Sequence, residues 1–159
     1  MNYHKIESTN LSNGLGWRVV LWVSGCSHKC EGCHNPETWD PNSGKLFTVK
    51  ELRKIIEFLD KPYIKGLTLS GGDPLMPENR AGVLQLVKAV KDNYPTKDIW
   101  LYTGYEYSKI KDLDILNYVD VVVDGEFILS ERDITLPFRG SRNQKIINLR
   151  SKDDSKVEQ

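Results

Sequence analysis

Four short runs of β-branched and aromatic residues alternate with amphipathic stretches along this chain, and that alternation restricts the fold more than any other feature. Trp17–Val23 (WRVVLWV), Gly66–Ser70, Asp98–Thr103 and Val119–Val123 read as buried strands. Between the first two, Thr48-Val49-Lys50-Glu51 is a capping box, and the helix it opens carries Val49, Leu52, Ile55, Ile56 and Leu59 on one face. Asn79–Asn93 sets Val83, Leu84, Val87 and Val90 on one stripe, and a shorter helix is expected over Ser108–Asn117. A last short strand is expected at Lys145–Asn148. Such alternation marks an α/β domain with a mainly parallel sheet, here of about five strands joined by right-handed crossover helices. Residues 1–16 read as polar and loop-like, ending in Asn13-Gly14-Leu15-Gly16. One domain over 1–150 and a frayed polar tail over 151–159 complete the expected organisation.

The chain has 159 residues. A closed eight-stranded (β/α) barrel typically takes ~250, so that fold is disfavoured in its complete form. Lys plus Arg and Asp plus Glu are 22 each, so no global field draws the chain to nucleic acid or an anionic membrane. No stretch approaches the ~20 apolar residues that span a bilayer. Met1–Glu7 lacks the apolar core of a signal peptide, which points to a cytoplasmic address.

Chemistry concentrates where the strands end. The chain's three cysteines, Cys26, Cys30 and Cys33, fall within eight residues just after the first strand. An odd, clustered set without a secretion signal is a metal or cluster site, not a disulfide framework. Structural zinc takes four protein ligands, so His28 or His34 would have to complete a Cys3His site. A four-iron cluster is held by thiolates, and three of them leave one iron open. Gly71-Gly72-Asp73-Pro74, Thr103-Gly104 and Asp124-Gly125 punctuate the other strand ends. In parallel α/β folds that edge carries the site.

These residues carry a resemblance. Cys26-Ser27-His28-Lys29-Cys30-Glu31-Gly32-Cys33 resembles the CxxxCxxC motif of radical S-adenosylmethionine enzymes, and Ser70–Pro74 resembles their Gly-Gly-Glu motif with Asp for Glu. Within that superfamily the chain is similar to the activating components of anaerobic (class III) ribonucleotide reductase. The similarity runs through MNYH at the start, Asn13-Gly14-x-Gly16-x-Arg18, Val23–Cys33, Leu69–Leu75, Lys97–Tyr105, Val123–Gly125 and the RGSxNQ segment Arg139–Gln144. Many superfamily members carry an aromatic residue before the third cysteine, where this chain has Gly32.

The resemblance implies a partial, open radical SAM-type barrel. It implies that Cys26, Cys30 and Cys33 hold a [4Fe–4S] cluster whose open iron chelates S-adenosyl-L-methionine. Gly71 and Gly72 would let the backbone approach the methionyl group, and Asp73 would pair with its ammonium or else cap the following helix. Gly32 and His34 would lie against the nucleoside. Asp124 would face the same cleft or stand as a solvated strand-end carboxylate, and Tyr102 and Thr103 have the same status. Arg139 would meet a carboxylate or serve in docking. The implied reaction leaves a glycyl radical on the large catalytic subunit of the reductase, with one electron from a donor such as reduced flavodoxin. An activase of another glycyl-radical enzyme, such as pyruvate formate-lyase, and a non-catalytic zinc module remain as alternatives.

Overall fold

The computed structural model describes residues 1–150, and the tail expected over 151–159 lies outside the described residues. Its elements are β1 (Asn2–Asn10), β2 (Trp17–Val23), β3 (Lys45–Leu46), α1 (Val49–Leu59), β4 (Ile64–Gly71), α2 (Pro77–Asn93), β5 (Asp98–Tyr102), α3 (Tyr107–Ile110), β6 (Val121–Asp124) and β7 (Lys145–Asn148). They form a seven-stranded sheet in the order β3-β1-β2-β4-β5-β6-β7. The pairs β2–β4, β4–β5 and β5–β6 are parallel, as the alternation requires. β1 and β3 add antiparallel strands beyond β2, and β7 adds one beyond β6.

The expectation of about five mainly parallel strands is therefore corrected to seven in a mixed sheet whose ends do not meet. The correction comes mostly from residues 2–10, read above as loop. Most of β1 is half-buried and none of it fully, and its Tyr3 and Ile6 stand among polar residues. Ladder pairing with β2 holds it, rather than a buried apolar face that periodicity would reveal. The helix expected over 108–117 also divides. α3 stops at Ile110, Leu113 is extended, and a 3-10 turn covers Asp114–Asn117. Ile110, Ile115 and Leu116 are the buried residues, and a step of five does not keep one face of an α-helix.

All the helices pack on one face of the sheet. Val19, Leu21, Val23, Leu67, Leu69, Ile99, Leu101 and Val122 point that way and meet Ile55 and Leu59 of α1 and Val83, Leu86, Val87 and Val90 of α2. Thr48 caps α1 as expected: its hydroxyl accepts from the Lys50 amide, and Glu51 accepts from the Thr48 amide at 2.8 Å.

The alternate residues form the opposite face, which no helix among the described residues covers. Register sets Trp22 beside Ser70 and Tyr102 beside Val123, with Trp100 and Thr68 one row lower. Arg18 lies under this face, fully buried. Its guanidinium donates to Thr68 Oγ1 at 2.7 Å and to the Leu15 and Leu67 carbonyls, and pairs with Asp98 at 2.7 Å. Thr68 in turn donates to the Asn13 carbonyl. Gly14 is required there, because a Cβ would come within 2.9 Å of both Arg18 and Trp100. The 13–16 turn is thereby fastened over the open face, whose other cover is the segment following β6.

Candidate functional site

The strand ends and the uncovered face enclose a cleft of about 480 Å³. Cys26, Cys30, Cys33 and His34 line it together with Gly71, Gly72, Asp73, Tyr102, Thr103 and Arg139. The sequence-distant motifs thus meet in one place. Gly32 and Asp124 are the exceptions.

The cysteine loop is laid beside the glycine turn by continuing the β2–β4 pairing past the ends of both strands. The Gly72 amide donates to the Val23 carbonyl at 2.8 Å, and the Asp73 amide to the Gly25 carbonyl at 2.7 Å. The buried Asn79 side chain clasps both segments, donating to the carbonyls of Ser24 and Asp73. This close approach explains the two glycines. Gly71 has φ +95°, and a Cβ on it would lie 2.6 Å from Val23 backbone atoms; one on Gly72 would lie 2.5 Å from the Gly25 carbonyl oxygen. The space freed by the missing side chains is thus taken by the chain's own backbone.

The three thiols are free and partly exposed. The Asn35 amide points at Cys33 Sγ, 3.4 Å away. Burial pushes the Cys26 thiol up, with the amides of His28 and Lys29 acting in the opposite direction. Burial likewise raises Cys30, opposed by the Phe127 amide. Soft thiolate donors with N–H groups aimed at sulfur are the donor set of an iron–sulfur cluster, so these residues fit one. Among the described residues no three His, Cys, Asp or Glu side chains converge as ligands of a single ion.

Asp73 is 1% exposed, and its carboxylate is fully engaged within the protein. Oδ1 accepts from the Leu75 amide and the Thr103 hydroxyl, each at 2.9 Å. Oδ2 accepts from the Gly104 amide at 2.9 Å and from His28 Nε2 at 2.6 Å. The helix-capping role weighed for it above is corrected: α2 starts after Met76 with no side-chain cap, and Asp73 instead ties the strand ends to one another. His28 also meets Glu126 at 2.7 Å through Nδ1. Carboxylates only accept, so the ring donates at both nitrogens. The bond to Asp73 foremost holds the imidazole above its ordinary pKa, against the pull of burial.

Gly32 turns with φ +78° and backs onto Leu129 and Phe127, where a Cβ would meet Leu129 at 2.9 Å. His34 lines the cleft with its ring edge-on to Phe127, centroids 5.6 Å apart. Asp124 is buried and lines an adjoining cavity instead, accepting from the Tyr107 amide at 2.8 Å and the Lys145 amide at 3.2 Å. Two donors on the cleft wall have no partner among the described residues: Tyr102 Oη and Arg139 Nε are buried without a hydrogen bond. The RGSxNQ segment folds on itself, Gln144 accepting from the Gly140 and Ser141 amides. Glu126 and Phe127 were not foreseen. They follow β6 in a stretch with no periodicity, and His28 is 98 positions away.

The class of protein follows from the family model described as 4Fe-4S single cluster domain, which matches residues 12–147 and so takes in the thiol-lined cleft. Curated relatives narrow this. A protein of Enterobacteria phage T4 is 49% identical over 148 residues, covering 92% of this chain and 93% of its own length. One from Vibrio cholerae is 49% identical over 150 residues, with 92% and 97% covered. One from Escherichia coli is 42% identical over 154 residues, with 94% and 100% covered. All three carry the name anaerobic ribonucleoside-triphosphate reductase-activating protein, and the chain belongs to that family.

Proposed function

We propose that this protein activates anaerobic ribonucleoside-triphosphate reductase by radical chemistry at a [4Fe–4S] cluster bound by Cys26, Cys30 and Cys33. The observation that carries the reading is the meeting of three thiols, the Gly71–Asp73 turn and the strand ends in one cleft on the uncovered face. When bound, the cluster supplies the electron that cleaves S-adenosyl-L-methionine to methionine and a 5′-deoxyadenosyl radical, which takes a Cα hydrogen from a reductase glycine. The electron enters from an external donor such as reduced flavodoxin.

The chain's own residues bind, orient and shield. Gly71, Gly72 and the cysteine loop present backbone at the strand ends. His34 flanks the third thiol on the nucleoside side, and Gly32 supplies the turn behind that thiol. Trp22, Phe127, Leu136 and Phe138 give the cleft apolar walls that exclude water from a reactive intermediate. Tyr102 and Arg139 offer unpartnered donors to whatever enters. The cleft stays open beside the sheet, which suits a glycine-bearing loop of a large partner better than an enclosed metabolite.

Anaerobic reconstitution with iron and sulfide, then dithionite and S-adenosyl-L-methionine, tests the reading. The expected product is 5′-deoxyadenosine, lost when any one of the three cysteines becomes alanine. Adding the reductase should yield a glycyl-radical electron paramagnetic resonance (EPR) signal. Bound zinc with neither iron nor product would refute the reading.

A further inference from the structure

The middle residue of the three between the first two cysteines has a role that the three-thiol motif does not require. His28 joins four strand ends. It sits in the loop after β2, bonds Asp73 after β4, packs on Gly104 and Tyr105 after β5, and bonds Glu126 after β6. Its ring is edge-on to Tyr105, with centroids 4.7 Å apart. Gly104 lies flat against it: a Cβ there would stand 2.5 Å from His28 Cδ2 and 2.7 Å from Nε2. The ring also forms part of the walls of both the thiol-bearing cleft and the adjoining cavity of about 840 Å³.

We propose that His28 is a positioning residue that locks the cysteine loop against the Gly71–Asp73 turn, so that the cluster's open iron meets S-adenosyl-L-methionine at a fixed place. The proposal rests on the cluster assignment above. It follows from topology: between its ends the loop meets the segment after β6, through the Phe127 amide at Cys30 and Gly32 on Leu129, and His28 holds it across to the Gly71–Asp73 turn. A side chain bonded to two carboxylates from different strands supplies that hold. The three cysteines still capture iron without it, but the loop then wanders relative to the turn.

Three full-length variants test this. His28→Ala removes the lock. His28→Gln keeps a donor within reach of Asp73. Gly104→Ala removes no hydrogen-bonding side chain and displaces the His28 ring sterically. In the metal-free proteins, hydrogen–deuterium exchange over residues 24–35 should quicken about tenfold or more in the alanine variants, with α2 unchanged. A larger, uniform change across the chain would mark a merely structural role and overturn the proposal.

After reconstitution all three variants should hold wild-type iron and sulfide. The change that S-adenosyl-L-methionine makes in the EPR spectrum of the reduced cluster should be lost in H28A and G104A and kept in H28Q. The KM for S-adenosyl-L-methionine should rise about 10–100-fold in both alanine variants, more than kcat falls, the usual scale for outer-shell partners of a metal site. Wild-type exchange and KM in H28A would overturn the proposal. If H28A does not fold, the same outcomes in G104A decide it. Failure of the wild-type protein itself to hold a cluster would instead refute the cluster assignment, while the exchange experiment on metal-free protein still judges the lock.

Discussion

Replacing Asp73 with asparagine separates two roles that its position leaves entangled, contact with a ligand and support of the strand ends. The carboxylate accepts from the amides of Leu75 and Gly104, the Thr103 hydroxyl and His28 Nε2 while only 1% exposed. An asparagine side chain must turn its NH2 toward one side. On the Oδ1 side it confronts the Leu75 amide; on the Oδ2 side it confronts the Gly104 amide. His28 can answer by giving up its Nε2 proton and Thr103 by rotating its hydroxyl, but a backbone amide can do neither. One buried N–H therefore loses its acceptor, at about 1–3 kcal/mol. The charge assistance to the remaining bonds, roughly a doubling of each, is lost as well. The sum is about 3 kcal/mol, and at ~2–4 °C per kcal/mol for a domain of this size the Tm should fall about 6–12 °C. Thermal unfolding of anaerobically purified, metal-free protein measures this without any ligand. An Asp73→Asn protein with wild-type Tm that no longer binds S-adenosyl-L-methionine would refute the reasoning and make Asp73 a direct ligand contact.

Three further outcomes are expected. Arg18→Met leaves Asp98, Thr68 and two carbonyls without their fully buried partner, and should cost about 3–5 kcal/mol in denaturant unfolding; a loss below ~1 kcal/mol would refute the argument. Glu51 is held down to about 2, chiefly by its side-chain bond with Thr48 and then by the Thr48 amide. A depressed folded-state pKa contributes stability that is present above the unfolded value near 4.5 and is lost as pH falls through about 2. The stability gap between wild type and Glu51→Gln should accordingly be constant from pH 7 to 5 and shrink below that, and a gap that widens on acidification would contradict the capping geometry. Tyr102→Phe removes a buried hydroxyl with no partner, so metal-free protein should keep or gain Tm by up to ~1 kcal/mol equivalent, while a clear loss would mean that the hydroxyl is bonded in the fold.

Much of the site was legible before the fold was known, because its chemistry is written in short segments. Cys26, Cys30 and Cys33 lie within one loop, and Gly71–Asp73 ends a strand that its β-branched and apolar residues announce. The parallel rule then assigns both to one edge of the sheet. What was not legible involved long separations. β1 carries too few apolar residues to show a period, yet it forms because β2 offers it a ladder. The close approach at the glycine pair is another such case, since the space a Cβ would need there holds the backbone of residues 22–25. Asp124 ends its strand as expected but is turned toward the amides of Tyr107 and Lys145, away from the cleft.

The division has a physical basis. Hydrophobic periodicity, capping and ligand spacing act between residues a few positions apart, so the order of strands and helices and the three-thiol motif are properties of the sequence itself. The partners of a buried polar group are chosen by whichever strand ends the packed sheet brings within 3 Å. His28 finds Asp73 and Glu126, Arg18 finds Asp98, and the Asp73 carboxylate is satisfied within the protein. Those pairings exist only because helices occupy one face of the sheet and leave the other open, and no local pattern in the chain encodes them.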